Sequence, residues 1–345
     1  MRQTTTFLLF STLTIGTASA QTATIYGVID EYLGYTNADG RGRVRSLDGG
    51  GLFASRLGYR GSEDLGNGYR ANFALEQGVF VDTGGQADAA RLFNRQSWVA
   101  LSGGFGEARI GRQQTPAFYM LGSMDAFNGA TYGSLLNNVS GYTPRFDNTI
   151  GYTSPAMAGL KLQALYSLGE QSTSMRALSA SMLGAEFTSG PFWVGANHQQ
   201  QRSADGSVNV KSTFVGGNYN YGKGRIYAGA YSGNNNGANL ATNVPGRDYR
   251  AWSLSADYLV TGLLSIGALY GRADDRTASH ADASQVSAIA TYKLSVRTML
   301  YTVATRLTNR NGAGFSLGAA APITRNTPIS GGDVSGLQFG VRHSF

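Results

Sequence analysis

The chain has 345 residues with 48 Gly, 7 Pro, 19 Tyr, 16 Phe and only 14% charged residues, a composition of turns and aromatic strands rather than of helices. It has no Cys, which excludes disulfides and thiolate metal sites, and no apolar run beyond the extreme N-terminus approaches the ~20 residues of a membrane-spanning helix. The formal charge is +7, yet the basic residues form no runs and no nucleic-acid motif is present, so anions or anionic lipid are expected as partners rather than nucleic acid.

The first element is a leader. Arg2 is a minimal basic start, residues 7–15 form a short apolar stretch, and Ala18-Ser19-Ala20 fits a small-residue cleavage site before Gln21. A signal peptide over residues 1–20 and a single exported domain over residues 21–345 are expected.

From residue 21 onward one pattern repeats: an alternating run, a tight turn, another run, a longer polar loop. Tight turns fall at residues 63–68, 102–106, 154–159, 189–191, 221–224, 260–263 and 294–297. Longer loops fall at residues 36–51, 83–92, 113–143, 169–176, 199–206, 233–248, 273–283 and 309–333. Seven turns and eight loops join sixteen strands. The spacing of about 20 residues per strand with its connection suits barrel strands of ~9–11 residues.

The alternation separates an apolar face from a polar one. Leu57 and Tyr59 oppose Arg56 and Arg60; Tyr69, Ala71, Phe73 and Leu75 oppose Arg70, Asn72 and Glu76; Leu337, Phe339, Val341 and Phe345 oppose Gln338, Arg342 and Ser344. The segment 25–35 is less clean, with Asp30 on one face and Glu31 on the other. Alternation alone also fits a soluble sandwich. Together with the export signal, the spanning length and the loop asymmetry, it predicts an all-β fold: a transmembrane antiparallel β-barrel with the apolar face toward lipid and the arginines inside. Because unpaired backbone is costly in lipid, the barrel must close, so residues 21–35 are expected to pair with residues 336–345, both termini lying on the short-turn side.

Sites for chemistry are weak. Gly314-Phe315-Ser316-Leu317-Gly318 matches the G-x-S-x-G pattern but lies in a Gly/Ala-rich loop rather than a strand-turn-helix elbow. His198, His280 and His343 have no ligand-like spacing, and the Asn-rich stretch 234–236 is ordinary turn chemistry. No catalytic residue, cofactor or metal site is expected. Tyr166, Trp193, Trp252 and Tyr301 are expected to form interfacial girdles.

Four segments carry a resemblance: SRLGYRGSEDLGNG at 55–68, NRQSWVALSGGFGEARIGRQ at 94–113, YKLSVRT with LY at 292–301, and the terminal GVRHSF. Together they resemble the trimeric general porins of Gram-negative outer membranes, in their betaproteobacterial branch. The resemblance implies sixteen strands, a homotrimer, and a long third loop, here residues 113–143, folded into the lumen as a constriction. It further implies a basic wall at Arg56, Arg112 and Arg145, with Arg60 and Arg70 nearby, facing the single acid of the loop, Asp125. Phe345 resembles the family's terminal signal to the barrel assembly machinery and its barrel-closing residue.

The expected function is an outer-membrane diffusion channel for small hydrophilic solutes and ions, preferring anions because several guanidinium groups face one carboxylate. Outer-membrane lipid, including lipopolysaccharide, is an expected partner. Barrel-wall acids such as Glu76 could neutralise the arginines. A substrate-specific channel for oligosaccharide or phosphate, and an outer-membrane hydrolase using Ser316, are the alternatives.

Overall fold

The computed structural model describes residues 22–172, 174–236, 238–244, 246–321 and 325–345; the expected signal peptide over residues 1–20 lies outside the described residues. The first half of the chain forms β1 (Thr22–Ala38), β2 (Gly42–Gly49), β3 (Arg56–Gly66), β4 (Tyr69–Phe80), β5 (Gly85–Gln86), β6 (Gln96–Gly103) and β7 (Gly106–Gln114), then the helices α1 (Pro116–Leu121) and α2 (Leu135–Val139). There follow β8 (Arg145–Thr153), β9 (Leu160–Ser167), β10 (Ala180–Ser189), β11 (Phe192–Arg202), β12 (Asn209–Asn220) and β13 (Arg225–Asn236). The chain ends with β14 (Arg247–Leu259), β15 (Leu264–Asp275), β16 (Ala283–Lys293), β17 (Thr298–Asn309) and β18 (Val334–Ser344).

Of the eighteen strands in the sheet, β5 is a two-residue flap on β4, while β2 and β3 lie end to end along β1 and make one barrel strand. Sixteen antiparallel strands among the described residues therefore close the barrel, as the connection count predicts. Closure is between β1 and β18, from Val28 opposite Ser344 to Ala38 opposite Val334. Phe345 completes it through reciprocal backbone hydrogen bonds with Gly27 at 3.1 Å.

The faces are inverted relative to a soluble protein. On β18, Leu337 and Phe339 are more than half exposed at 52% and 57%, whereas Gln338 between them is 1% exposed. The apolar row faces lipid, and the amide faces the barrel interior, where Gln338 Oε1 accepts from the Tyr132 amide at 2.9 Å. Trp252 and Tyr166 lie on the outer face as expected for girdles, but Tyr301 is buried and donates to Asp30 at 2.7 Å. Trp193 likewise turns inward, donating to Glu186 at 3.2 Å.

The loop expected over residues 36–51 is instead a hairpin: β1 and β2 pair from Ala38 opposite Gly42 to Glu31 opposite Gly49. The chain then leaves the wall at residues 50–55. Asp30 supplies the reason, since its carboxylate accepts the amides of Gly51, Leu52 and Phe53 at 3.1, 3.0 and 2.8 Å. These charge-assisted bonds turn the segment into the lumen as a shelf. Asp30 thus belongs to the interior, while Glu31 points the other way, against Gly49.

Residues 115–144, joining β7 to β8, fold inside the barrel. Thr115 caps α1 by accepting from the Phe118 amide, Pro116 occupies its first turn, and Ser134 caps α2 through the Asn137 amide. Met120, Met124, Phe127, Leu135 and Leu136 are fully buried in one cluster with wall residues such as Phe214, Leu269, Val303 and Leu307. Part of the interior is therefore an apolar core, contributed by the loop and the wall of β12–β17. Glycines on the wall permit this approach: a Cβ at Gly184 would come 2.7 Å from Pro116 Cβ, and one at Gly271 would come 2.5 Å from Leu135 Cδ2.

Candidate functional site: the narrowed lumen

With the loop packed on one side, the open lumen is left against β1, β3, β4 and β6. There a cavity of about 440 Å³ is lined on the wall side by Tyr26, Arg56, Arg60, Glu76 and Arg95, and on the loop side by residues including Phe118 and Tyr142. The shelf at residues 52–54 forms its floor.

Glu76 organises the wall. Its Oε1 lies 2.6 Å from Arg95 Nε, and its Oε2 lies 3.3 Å from Arg56 Nε and accepts from the Tyr26 hydroxyl at 3.0 Å. Arg56 also donates to the Ala54 carbonyl at 3.2 Å, which ties the shelf to the wall. Arg60 stacks on Tyr26, 5.0 Å from the ring centre. Arg145, at the start of β8, lies 5.1 Å from the Phe118 ring centre, and its Nε has no hydrogen-bond partner among the described residues. Arg342 covers Phe53 of the shelf at 4.5 Å. Burial pushes the Tyr142 phenol up to about 12. Among the cavity-lining residues, three guanidinium groups thus stand against the one carboxylate of Glu76.

The structure brings together only part of the set expected from sequence. Arg56 and Arg60 line the cavity; Arg145 does not, and lies against the ring of Phe118, which does. Arg112 does not line the cavity: its Nη1 pairs with Asp147 at 2.5 Å and its Nε donates to the Asn94 carbonyl at 2.6 Å. That pairing continues into the exposed ion pairs of Arg91 with Asp147 and Asp88. Arg70 stands at the short-turn end of β4 and bonds Ser62 at 3.0 Å, too far along the strand to reach the narrowing. Asp125 is on the inserted loop but does not face the arginines. It is 1% exposed, and its oxygens are used within the loop by the Phe127 and Gly129 amides at 2.8 and 2.9 Å and the Ser134 hydroxyl at 2.5 Å. The acid opposing the arginines is Glu76, on the wall.

Arg95 and Arg342 are the residues that sequence reasoning missed. Arg342 had a signal, since it shares the inward face of Gln338. Arg95 had none: it precedes β6, where alternation has not begun, and its orientation follows from the hydrogen bond of its amide to the Glu76 carbonyl at 3.1 Å.

The other sequence features resolve simply. The Ser316 hydroxyl is buried and donates to the Asn326 carbonyl at 3.4 Å, while the His198 and His343 rings bond Thr213 and Thr298. No His ring meets Ser316 among these bonds.

A closed barrel with an apolar outer face, a polar passage and a loop narrowing it defines a transmembrane β-barrel channel. The chain belongs to the Gram-negative porin family, whose model matches residues 4–312. It is 30% identical over 345 residues to outer membrane porin protein 32 of Delftia acidovorans, covering 96% of each chain. It is also 30% identical over 242 residues to an outer membrane porin of Bordetella pertussis, covering 60% of this chain and 63% of that one. The solved structure of an anion-selective porin from Comamonas acidovorans matches with a TM-score of 0.81 at 28% identity, over 94% of this chain and all of that one (100%). The trimer form of OmpT from Vibrio cholerae shares the fold, with a TM-score of 0.70 at 17% identity over 95% of this chain and 100% of that one. The protein is accordingly an outer-membrane porin of a Gram-negative bacterium, a channel for passive diffusion of small hydrophilic solutes and ions.

Proposed function

We propose that this porin prefers anions, and that it selects by charge and width alone, with no catalysis and no bound cofactor. The observation that carries the reading is the charge balance of the narrowing, where Arg56, Arg60 and Arg95 face Glu76 alone in a cavity of about 440 Å³. Arginine stays protonated at any physiological pH. Low-dielectric walls concentrate such a field and raise the local concentration of the opposite charge. The anion-selective porin from Comamonas acidovorans, similar in fold and sequence, supports the same direction. Replacing chloride by a bulky anion in a planar bilayer should cut the current more than replacing potassium by a bulky cation; the reverse order would contradict the preference.

The same reading includes cleavage of residues 1–20, assembly as a homotrimer, insertion by the barrel assembly machinery through the Phe345 terminus, and contact with lipopolysaccharide. The trimer form of a protein of the same fold supports the assembly. Arg56 and Arg60 follow one another along the inner face of β3, which favours a solute-specific channel for phosphate as the second reading. Saturable block of the current by phosphate would distinguish it.

A further inference from the structure

We propose that the chamber on the short-turn side of the narrowing is a binding site for aromatic carboxylates, with the carboxylate on Arg60 and the ring against Trp98. Passage through the narrowing is decided by charge and width; the chamber adds retention of one class of the anions that pass. The inference rests on the anion preference proposed above, because a carboxylate must be able to reach Arg60.

The chamber, about 380 Å³, is lined by residues including Thr24, Arg60, Ser62, Asn72, Trp98 and Glu107, and its volume is that of an ordinary small-molecule site. Strand register places it. Thr24, Arg60, Ala74 and Trp98 stand in one row across β1, β3, β4 and β6. Ser62 and Asn72 form the next inward-facing row toward the tight turns. With neighbouring strands ~4.8 Å apart, the backbones of Arg60 and Trp98 are ~10 Å apart, a span suited to one ring bearing one carboxylate. Arg60 also lines the cavity of the narrowing, so the two spaces meet at this residue.

The chemistry of the lining decides among ligands. Arg60 takes part in no ion pair among the described residues. The Glu107 carboxylate is held by Arg109, whose Nε and Nη2 lie 3.1 and 2.5 Å from its Oε1. Arg60 is therefore the cation left open to a solute. The polar groups of the floor are engaged with one another: the Ser62 hydroxyl donates to Asn72 Oδ1 at 2.7 Å and accepts from Arg70 Nε at 3.0 Å, while Asn72 Nδ2 donates to Ser102 at 2.8 Å. A sugar, which needs several such groups at once, is poorly matched.

Trp98 supplies the flat surface. Its indole N–H donates to Gln96 Oε1 at 2.9 Å, and Arg109 Cζ lies over the ring, 3.8 Å from its centre. The indole is thus held in place before a solute arrives, which limits the ordering cost of binding. An inorganic anion would use Arg60 and leave the indole without a role, whereas an aromatic ring packs on it. Tyr26, Phe118 and Tyr142 line the cavity above, so aromatic surface accompanies the guanidinium groups through both spaces.

The test reads block of the potassium chloride current through the purified protein in a planar bilayer, with benzoate, acetate, cyclohexanecarboxylate and inorganic phosphate as probes. Benzoate is expected to block saturably, and acetate to need at least about tenfold more for half block. Trp98→Ala should collapse the ratio between benzoate and acetate toward one, and Trp98→Phe, which keeps a ring, should restore most of it. Arg60→Gln should weaken benzoate by at least about tenfold. An unchanged ratio in Trp98→Ala would overturn the proposal. So would phosphate blocking as strongly as benzoate, which would mark a free-anion site. Should Trp98→Ala fail to fold, the parent protein decides alone: cyclohexanecarboxylate, with the same charge and similar bulk but no aromatic face, should block several-fold more weakly than benzoate, and equal block would overturn the site. The zero-current potential of the same membranes reads the anion preference separately, so a potassium-selective parent that benzoate still blocks would contradict that preference and leave the site standing.

Discussion

Arg95 and Glu76 form an ion pair of 2.6 Å in which both side chains are only 4% exposed, and Arg56 closes on the same carboxylate at 3.3 Å. One carboxylate therefore holds two like charges side by side at the narrowing. Glu76→Gln should free both guanidinium groups. The expected results are a zero-current potential moved further toward the anion value and a loss of stability of about 3 kcal/mol, typical of removing one partner of a buried pair. Selectivity measured in bilayers and thermal unfolding in detergent check the two parts separately; a shift toward cations would contradict the assignment.

The corrected arginine set differs from the one implied by resemblance. Arg95→Ala and Arg56→Ala should each reduce anion preference, since each removes one of three guanidinium groups lining the cavity. Arg112→Ala and Arg70→Ala should leave it nearly unchanged, because Arg112 is held by Asp147 and Arg70 sits by Ser62 at the turn. A comparison of the four zero-current potentials decides. Equal effects would mean that field from the whole wall, not the narrowing, sets selectivity.

Wall glycines should govern pore width. In Gly184→Val the added side chain meets Pro116 and Met120 of the loop and should push α1 toward the arginines. Single-channel conductance is expected to fall while the barrel still forms. An unchanged conductance would show that the loop does not set the width.

Burial raises the carboxyl pKa of Asp125 above its usual range, the hydrogen bonds from Ser134, Gly129 and Phe127 offsetting only part of the effect. A raised acid pKa means the docked loop holds the proton more tightly than the undocked chain does. Its contribution is fully present below the unfolded value of ~3.9 and is lost as pH rises through the higher folded value. Protection of the Phe127 and Gly129 amides against hydrogen exchange, corrected for intrinsic rates, should therefore increase as pH is lowered toward that range. Asp125→Asn should abolish the dependence. Protection that falls with acid in the wild type would contradict the sign.

The leader can be tested by mass alone. The protein isolated from outer membranes should begin at Gln21; retention of residues 1–20 would rule out cleavage there.

Much of the wall was legible because alternation is imposed by lipid on one side and water on the other. Leu337 and Gln338 could be assigned faces from the sequence, and the pairing of the two termini followed from closure. What alternation could not show were departures from regular strand. Asp30 looked like an imperfection in β1, yet it turns residues 50–55 into the lumen. Asp125 looked like the opposing acid because it is the sole carboxylate of its loop, but sequence does not distinguish a carboxylate that faces water from one that caps its own turn. Arg95 precedes the periodic run and is oriented by a backbone bond to Glu76, a contact across strands that no local pattern records. Trp193 and Tyr301 were misplaced because strand-end aromatics suit either face.

The central claim, that unbalanced arginine charge at the narrowing makes this channel prefer anions, is tested most directly by the zero-current potential of the purified protein in a planar bilayer under a potassium chloride gradient. The two ions are nearly equally mobile, so the sign reports the protein. A potential of the sign set by chloride, reduced in Arg95→Ala, is predicted. A potential of the sign set by potassium would contradict the account while leaving the barrel and the channel in place.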